Sequence, residues 1–440
     1  MKTPWIPVGL LLLVSASASG GIADKVIRSN IDGVDLIAIP TAVKDVVTIY
    51  GSMPAGDAFA GAGNLAVPTL TAMMLDKGTT TADKFAIAQQ LESVGARISF
   101  SASEQTLDIQ AKCLRKDAPT IVHLIIEQLR TPALSADEFA KARIQLTGAI
   151  RRSRENTDSQ ADIAFSRAVY PPGHPNRKSA AEELLAAVEG ATLADIKAFH
   201  AKYYGPAHLT VAMVGDLELK PVQAQFRRDL AGWHGGAAAL SAPHAPPPGG
   251  VVTQPINMPD KTSVSVILGQ SSGLRYSDSD ALALRVGAAV LGSGFTGRLM
   301  HVVRDREGLT YGIYSVVGDD TYTNGDWRVG ASFAPELLDK GVASTRREVE
   351  RWWRDGITQE ELTARKTDLI GSYKVGLATT DGLARTLLRT VQRGKPLSWL
   401  DDYPKAVDSL TVDQVNGAIR RYLKPADMVL IQAGTLPQGK

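Results

Sequence analysis

Thr192-Leu193-Ala194-Asp195 leads into Tyr203-Tyr204-Gly205-Pro206, an apolar stretch at 209–214 and Gly215; further on stand Thr411-Val412-Asp413-Gln414, Tyr422-Leu423-Lys424-Pro425, an apolar stretch at 428–433 and Gly434. The threonines lie 219 residues apart, and so do the prolines. Each copy reads as a threonine-capped helix, a turn and a strand. A second pair, Ser135-Ala136-Asp137-Glu138 and Thr358-Gln359-Glu360-Glu361, lies 223 residues apart and again places a hydroxyl cap before acids in a first helical turn. Two independent landmarks at nearly constant offset make the chain a duplication.

Between the copies, residues 234–250 read HGGAAALSAPHAPPPGG, the Ala, Pro and Gly composition of a linker. Lobes are therefore expected at 19–233 and 251–440. In the first, strands are expected at 34–39, 46–53, 97–102 and 107–111, with helices at 82–94, 118–129 and 135–154. The second repeats the order, with strands at 263–269, 311–317 and 327–333 and helices near 280–291 and 296–305. Strands in pairs and helices in runs give an α+β class, helices packed on a sheet in each of two homologous lobes.

The 48 basic and 46 acidic residues leave a formal charge of +2, scattered along the chain, which argues against nucleic acid or an anionic membrane as partner. At 44% hydrophobic and 21% charged, the composition is that of an ordinary globular protein. The first residues differ. Lys2, an apolar run at 6–14 and Ala16-Ser17-Ala18 form a signal peptide at 1–18, cleaved near Ala18. A membrane anchor needs about 20 apolar residues, roughly twice this run. The chain is thus expected to be exported to the periplasm, with no membrane association after cleavage. Cys113, the single cysteine, rules out an internal disulfide and falls in an alternating strand, so it reads as core.

Several motifs follow one another in order: Lys77-Gly78-Thr79, Gly173-His174-Pro175-Asn176, the segment 199–215, then Gly292-Ser293-Gly294-Phe295-Thr296-Gly297-Arg298-Leu299 and Arg304-Asp305-Arg306-Glu307-Gly308-Leu309-Thr310-Tyr311. Together they resemble the pitrilysin/insulinase (inverzincin) family of zinc peptidases, in its half-size bacterial and mitochondrial-processing-peptidase-like branch. The resemblance covers nearly the whole mature chain. It implies two lobes, each a mostly antiparallel sheet with helices upon it, and peptides as substrates.

Peptidases of that family carry His-x-x-Glu-His on a first-half helix, two imidazoles on one face for zinc and a glutamate as general base. Counted from Lys77, the motif falls on Thr69, Leu70, Thr71, Ala72 and Met73. The later glutamate ligand falls near Ala149, in a stretch between Glu138 and Glu155 without any acid. Every ligand position and the base are vacant. Elsewhere none of the 7 histidines lies four residues from another; His123 and Glu127 form a lone i, i+4 pair, and His174 reads as a loop-shaping residue. No metal or other cofactor is therefore expected in this chain, which is not a zinc peptidase by itself.

The other half of the site is present. In the family, a second-lobe arginine and a tyrosine seven residues later face the zinc, and Arg304 and Tyr311 have that spacing. By spacing alone they read as a solvated helix residue and a core aromatic; the resemblance makes them the catalytic candidates, a guanidinium and a phenol for the charge that grows on a scissile carbonyl. Gly308 lets the chain leave the helix. Arg298, Phe295 and glycines 292, 294 and 297 fit either contact with substrate backbone or close packing, and Trp352-Trp353 read as packing. The resulting expectation is the non-zinc subunit of a periplasmic heterodimeric metallopeptidase, with zinc in a homologous partner that bears the His-x-x-Glu-His motif. The alternative is an inert structural or peptide-holding member. A stand-alone peptidase finds no support, since Ser153, Ser159 and Cys113 lack a nucleophile context.

Overall fold

A computed structural model of the chain describes residues 20–241, 245 and 250–436; the leader read at 1–18 and linker residues 242–244 and 246–249 fall outside them. The strands are β1 (Ile27–Ile31), β2 (Val34–Pro40), β3 (Val46–Met53), β4 (Arg97–Ala102), β5 (Leu107–Leu114), β6 (Thr210–Gly215), β7 (Val252–Asn257), β8 (Val264–Ser271), β9 (Thr310–Gly318), β10 (Asp326–Phe333) and β11 (Val429–Gly434). They form two sheets, ordered β1-β2-β6-β3-β5-β4 and β7-β11-β8-β10-β9. Without β1, the orders superimpose strand for strand. Even the single parallel pair recurs, β2 with β6 and β7 with β11, all other pairs being antiparallel. The α+β class and the two matching lobes are as the sequence indicates.

Local chemistry explains the helix starts. The hydroxyls of Ser135, Thr192, Thr358 and Thr411 each accept the backbone N–H three residues on, and Asp195, Glu361 and Gln414 reach back to the cap N–H, closing capping boxes. β1 and β7 were not expected from the sequence. Both are edge strands with mostly exposed side chains, and Pro255 sits inside β7, so neither shows a clear alternation.

Central strands β3 and β8 are buried almost from end to end, so both faces of each sheet need cover. On the first sheet, Val34, Leu36 and Ala38 of β2, Val47, Ile49 and Met53 of β3 and Val211 and Met213 of β6 point into the first lobe's own helices. Their alternates, Ile37, Ile39, Tyr50, Ala212 and Val214, point the other way. That face is covered by Leu383, Ala384, Leu387 and Leu388 from the second-half helix Thr380–Gln392. The reciprocal holds on the second sheet, where Ile267, Val429, Ile431 and Ala433 pack against Ala161, Ala164, Phe165 and Val169 of the first-half helix Thr157–Val169. The two helices start 223 residues apart, the offset of the capped helices before them. Each half lends its equivalent helix to the other half's sheet.

Polar groups fix the exchange. Arg328 of β10 donates to Asp162 of the lent helix at 2.6 Å, to Asp319 at 2.7 Å and to Asp326 at 2.6 Å, with its guanidinium over the Phe165 ring. Tyr170 donates to Asp326 at 2.8 Å. Burial pushes the Asp326 carboxyl up to about 6, against the pull of Arg328. At the reciprocal contact, Tyr50 donates to Asp381 at 2.9 Å, Arg385 donates to the Tyr50 hydroxyl at 2.9 Å, and the Thr48 and Thr380 hydroxyls meet at 3.0 Å.

Leu387 is fully buried under the first sheet. Leu387→Ala should therefore cost about 2–5 kcal/mol. In urea, with the first-lobe Trp233 and the other tryptophans Trp5, Trp353 and Trp399 replaced by Phe, the fluorescence of Trp327 and Trp352, in the second sheet's core, should move to the same lower midpoint as the circular dichroism. A tryptophan transition left at the parent midpoint would show that the halves unfold independently.

Candidate functional site

The segment expected to hold the zinc motif is a helix, Val67–Met74, beside edge strand β4. Its ligand positions are occupied otherwise. Thr69 donates its hydroxyl proton to Asp57 Oδ1 at 2.7 Å, and Thr71 donates back to the Val67 carbonyl at 2.7 Å. Ala72, at the base position, is buried with Leu70 in the first lobe's core, and Met73 packs against that core. Ala149 lies exposed on the helix Ala136–Arg154. One hydroxyl already bonded to a carboxylate, one thioether and a methyl group do not make a zinc site, which needs three nitrogen, thiolate or carboxylate ligands. Among the described residues, no group of three or more His, Cys, Asp and Glu side chains could hold a metal ion. His123 lies 3.7 Å from Glu127 and 3.0 Å from Asp229 on the surface. His174 is buried, accepts the Asn176 N–H at 3.1 Å and stacks on Tyr170. Cys113 is buried in β5, its thiol pushed up to about 12 by burial.

In the second lobe the chain leaves the helix Ala281–Gly292, passes the glycine-rich turn and forms a short π-helix, Met300–Arg306, later and tighter-bounded than the expected 296–305. Gly308, at φ 65°, donates its N–H to the Arg304 carbonyl at 3.0 Å and turns the chain into β9. Arg304 and Tyr311 come together here: the guanidinium carbon sits 5.2 Å from the Tyr311 ring centre and 5.1 Å from that of Phe295. Its nearest carboxylate, Asp305, is 3.8 Å away. Tyr311 is 88% exposed, not a core aromatic, and its hydroxyl bonds to no described residue. Neither residue has a hydrogen bond, ion pair or ring contact with the Thr69–Met73 segment among the described residues.

Arg298 has a different task. It donates to Glu361 Oε2 at 2.6 Å and to the Gly356 carbonyl at 2.8 Å, clasping the turn to the start of the helix Gln359–Leu377. A Cβ on Gly292 would stand 2.4 Å from the Ser315 nitrogen, and one on Gly297 2.9 Å from the Gly292 Cα, so these two glycines serve close packing. Trp352 stacks on Trp327 at 5.6 Å, and Trp353 donates to the Leu423 carbonyl at 2.8 Å.

Beside Tyr311 opens a cleft of about 630 Å³, lined by Phe295, Met300, Tyr311 and Tyr314 and by Asp158 and Asp162 of the lent helix. Among the described residues no strand lies on the outer side of β9, an edge that an extended chain can pair with, although the Gly312 N–H and C=O are already engaged by the Thr310 hydroxyl. The contribution of Asp158 and Asp162 to this cleft depends on the helix exchange and had no local signal in the sequence, whereas Phe295 belongs to the glycine-rich turn that the sequence singled out. Asp57 was likewise missed, because its partner Thr69 lies 12 residues on across a turn.

A duplicated α+β chain in which the segment Thr69–Met73 carries no zinc-ligand set, with Arg304 and Tyr311 side by side at the edge of the second sheet, has the two-lobed fold of a zinc peptidase. Residues 42–171 match the family described as insulinase (peptidase family M16), and residues 190–369 match the peptidase M16 inactive domain. The chain belongs to the M16 family, and the match to its inactive domain is confined to the second of these segments. It is 29% identical over 403 residues to an uncharacterized zinc protease of Mycobacterium tuberculosis, covering 88% of this chain and 87% of that one. It is 22% identical over 384 residues to the non-peptidase homolog YmxG of Helicobacter pylori, covering 84% and 86%. Among solved structures, a peptidase M16 inactive domain from Pseudomonas fluorescens superposes with a TM-score of 0.86 at 25% identity, covering 94% of this chain and 99% of that one. The periplasmic protease PqqL of Escherichia coli does so with a TM-score of 0.77 at 14% identity, over 100% of this chain and 49% of that one.

Desolvation, reinforced by the charge of Glu104 and opposed by the Thr69 hydrogen bond, pushes the Asp57 carboxyl up to about 6 from 3.8. A raised carboxyl contributes stability fully below its ordinary value and loses it as pH rises through the folded one. Asp57→Asn, which can keep the Thr69 bond, should therefore raise the melting temperature near pH 8, and the gain should shrink as pH falls from about 6 towards 4. An equal gain at both ends of that range would show that the Asp57 charge is not the cause.

Proposed function

We propose that this chain is the non-zinc subunit of a heterodimeric peptidase of the periplasm, holding a peptide and lending Arg304 and Tyr311 to a zinc site carried by a homologous partner. One observation carries the reading: the ligand positions of the helix Val67–Met74 are filled by residues that cannot bind zinc, while an exposed Tyr311 and a half-buried Arg304 stand together, without strong partners, at the edge of the second sheet. The size relation to PqqL supports a two-unit assembly, since this chain corresponds to about half of that protease. Export to the periplasm follows from the leader at 1–18.

The peptide would lie as an added strand against β9, its backbone paired with the free edge and its side chains entering the cleft. Tyr311, with its ring on Arg304, has a hydroxyl proton to donate to the oxygen on which charge develops. The Arg304 guanidinium, spread over two rings and not spent on a carboxylate, adds a second positive field or clamps a neighbouring carbonyl. A donor of this kind is worth about 2.7–4 kcal/mol, or roughly 10²–10³ in turnover. The partner supplies the metal and the general base.

A second reading, an inert structural or peptide-holding protein, is favoured by the likeness to the H. pylori protein described as a non-peptidase homolog. The two part in one experiment. Mixed with a partner carrying His-x-x-Glu-His, the parent should give peptide hydrolysis. Tyr311→Phe should lower kcat by about 10²-fold with unchanged co-elution of the two chains, and Arg304→Ala should act in the same direction. Full turnover in both variants, or none in any mixture, would leave only the inert reading.

A further inference from the structure

A second cavity, of about 370 Å³, lies in the second lobe away from the Arg304–Tyr311 cleft. It is enclosed by the helix Ala281–Gly292, strand β9 and the helices Gln359–Leu377, Thr380–Gln392 and Trp399–Ser409. Three guanidiniums line it, those of Arg285, Arg389 and Arg393. Their partners are few. Arg285 pairs with Asp320 and donates to the Val317 carbonyl at 3.1 Å, but its Nε is buried without a partner. Arg393 forms no side-chain hydrogen bond or ion pair with any described residue. Its guanidinium lies 3.8 Å from the Tyr276 ring centre, and its Nε is also buried and unsatisfied. Arg389, at the open side, has no described hydrogen-bond or ion-pair partner either.

One carboxylate, Asp320, therefore faces three guanidiniums, an excess of +2, while Lys395 at one end has Asp278 as its counter-charge and donates to the Ser277 carbonyl at 3.1 Å. Arg328, by contrast, is met by three carboxylates. For an exposed arginine such as Arg389, solvent is partner enough. For Arg393 it is not: burial and the like charges of Arg285 and Arg389 weigh against its charged form, and a buried donor left unmade costs the full desolvation of that group. Further donors point the same way. The hydroxyls of Tyr276 and Tyr403, both on the cavity wall, bond to no described residue. Lys395 Nζ stands 4.9 Å from the Trp399 ring centre at the same end.

We propose that this cavity binds a phosphate monoester carrying a flat aromatic group. Its dianionic head matches the uncompensated +2 and takes the free N–H groups of Arg389 and Arg393, with Arg285 behind them and the tyrosine hydroxyls as further donors. The flat group lies against Trp399 and Tyr403 on the cavity wall, the Tyr276 ring being already covered by the Arg285 and Arg393 guanidiniums. The site does not depend on the proteolytic reading, because none of its donors belongs to the Arg304–Tyr311 pair.

Titration calorimetry of the full-length mature chain with phenyl phosphate tests it, with inorganic phosphate and phenylacetate as comparison ligands. Phenyl phosphate should bind one to one with a Kd below about 1 mM. It should bind more tightly than either comparison ligand, since phosphate lacks the ring and phenylacetate has one charge. Arg393→Met should weaken it about tenfold or more. Arg389→Met, at an exposed position where folding is not at stake, should weaken it in the same direction. Absence of phenyl phosphate binding, or binding untouched by Arg389→Met, would overturn the site. Phenylacetate binding as tightly as phenyl phosphate would overturn the phosphate assignment.

Discussion

Each sheet has apolar side chains on both faces and enough helices of its own for only one. Ile37, Ile39 and Val214 on one sheet, and Val429, Ile431 and Ala433 on the other, are almost fully buried, and residues of their own half, Ile22 and Val26 for the first and Ile256 and Met258 for the second, cover them only in part. The rest of the cover comes from the opposite half, through the helices Thr157–Val169 and Thr380–Gln392. Burying one Phe, Val or Leu is worth about 1.5–3 kcal/mol, and Phe165 and Val169 on one lent helix and Leu383, Leu387 and Leu388 on the other are buried in this way. The 234–250 linker is thus not the only tie between the lobes. Arg328, reaching Asp162 on a lent helix and Asp319 and Asp326 on its own side, sets the angle at which one of these helices lies.

The exchange also marks how far the sequence could be read. Cap hydroxyls and period-2 alternation are local, so the Ser135, Thr192, Thr358 and Thr411 helices and strands such as 46–53 and 97–102 stand where the sequence places them. An amphipathic helix shows that it has an apolar face and is silent on which sheet will receive it. Thr157–Val169 therefore carries no mark of belonging under β8 and β11. The same holds for the sites. Arg304 and Tyr311 are seven residues apart on one turn and legible from spacing and resemblance, whereas Arg285, Arg389 and Arg393 meet only because helices about a hundred residues apart pack together.

Duplication makes the two halves a controlled comparison. The helix after β3 and the helix after β8 are equivalents. In the first, Leu70 and Ala72 turn into the core and Thr69 is taken up by Asp57, so the helix has become packing. After the second, the chain keeps a turn whose glycines are needed sterically at 292 and 297 and whose Arg298 is locked to Glu361. Those constraints hold the π-helix and the start of β9 in place.

The state of Arg304 carries the argument one step further. Between Phe295 and Tyr311 the guanidinium has two cation–π contacts, each worth about 0.5–1 kcal/mol at an exposed site, and a carboxylate no nearer than 3.8 Å. That is enough to orient the group and too little to neutralise it. Charge-assisted hydrogen bonds to an incoming oxygen are stronger than either contact, so a carbonyl or carboxylate reaching the β9 edge can recruit the guanidinium without first breaking an ion pair. The rings hold the charge in position while leaving its N–H groups free. For Arg304 to act on a ligand, its partner must come from outside the chain.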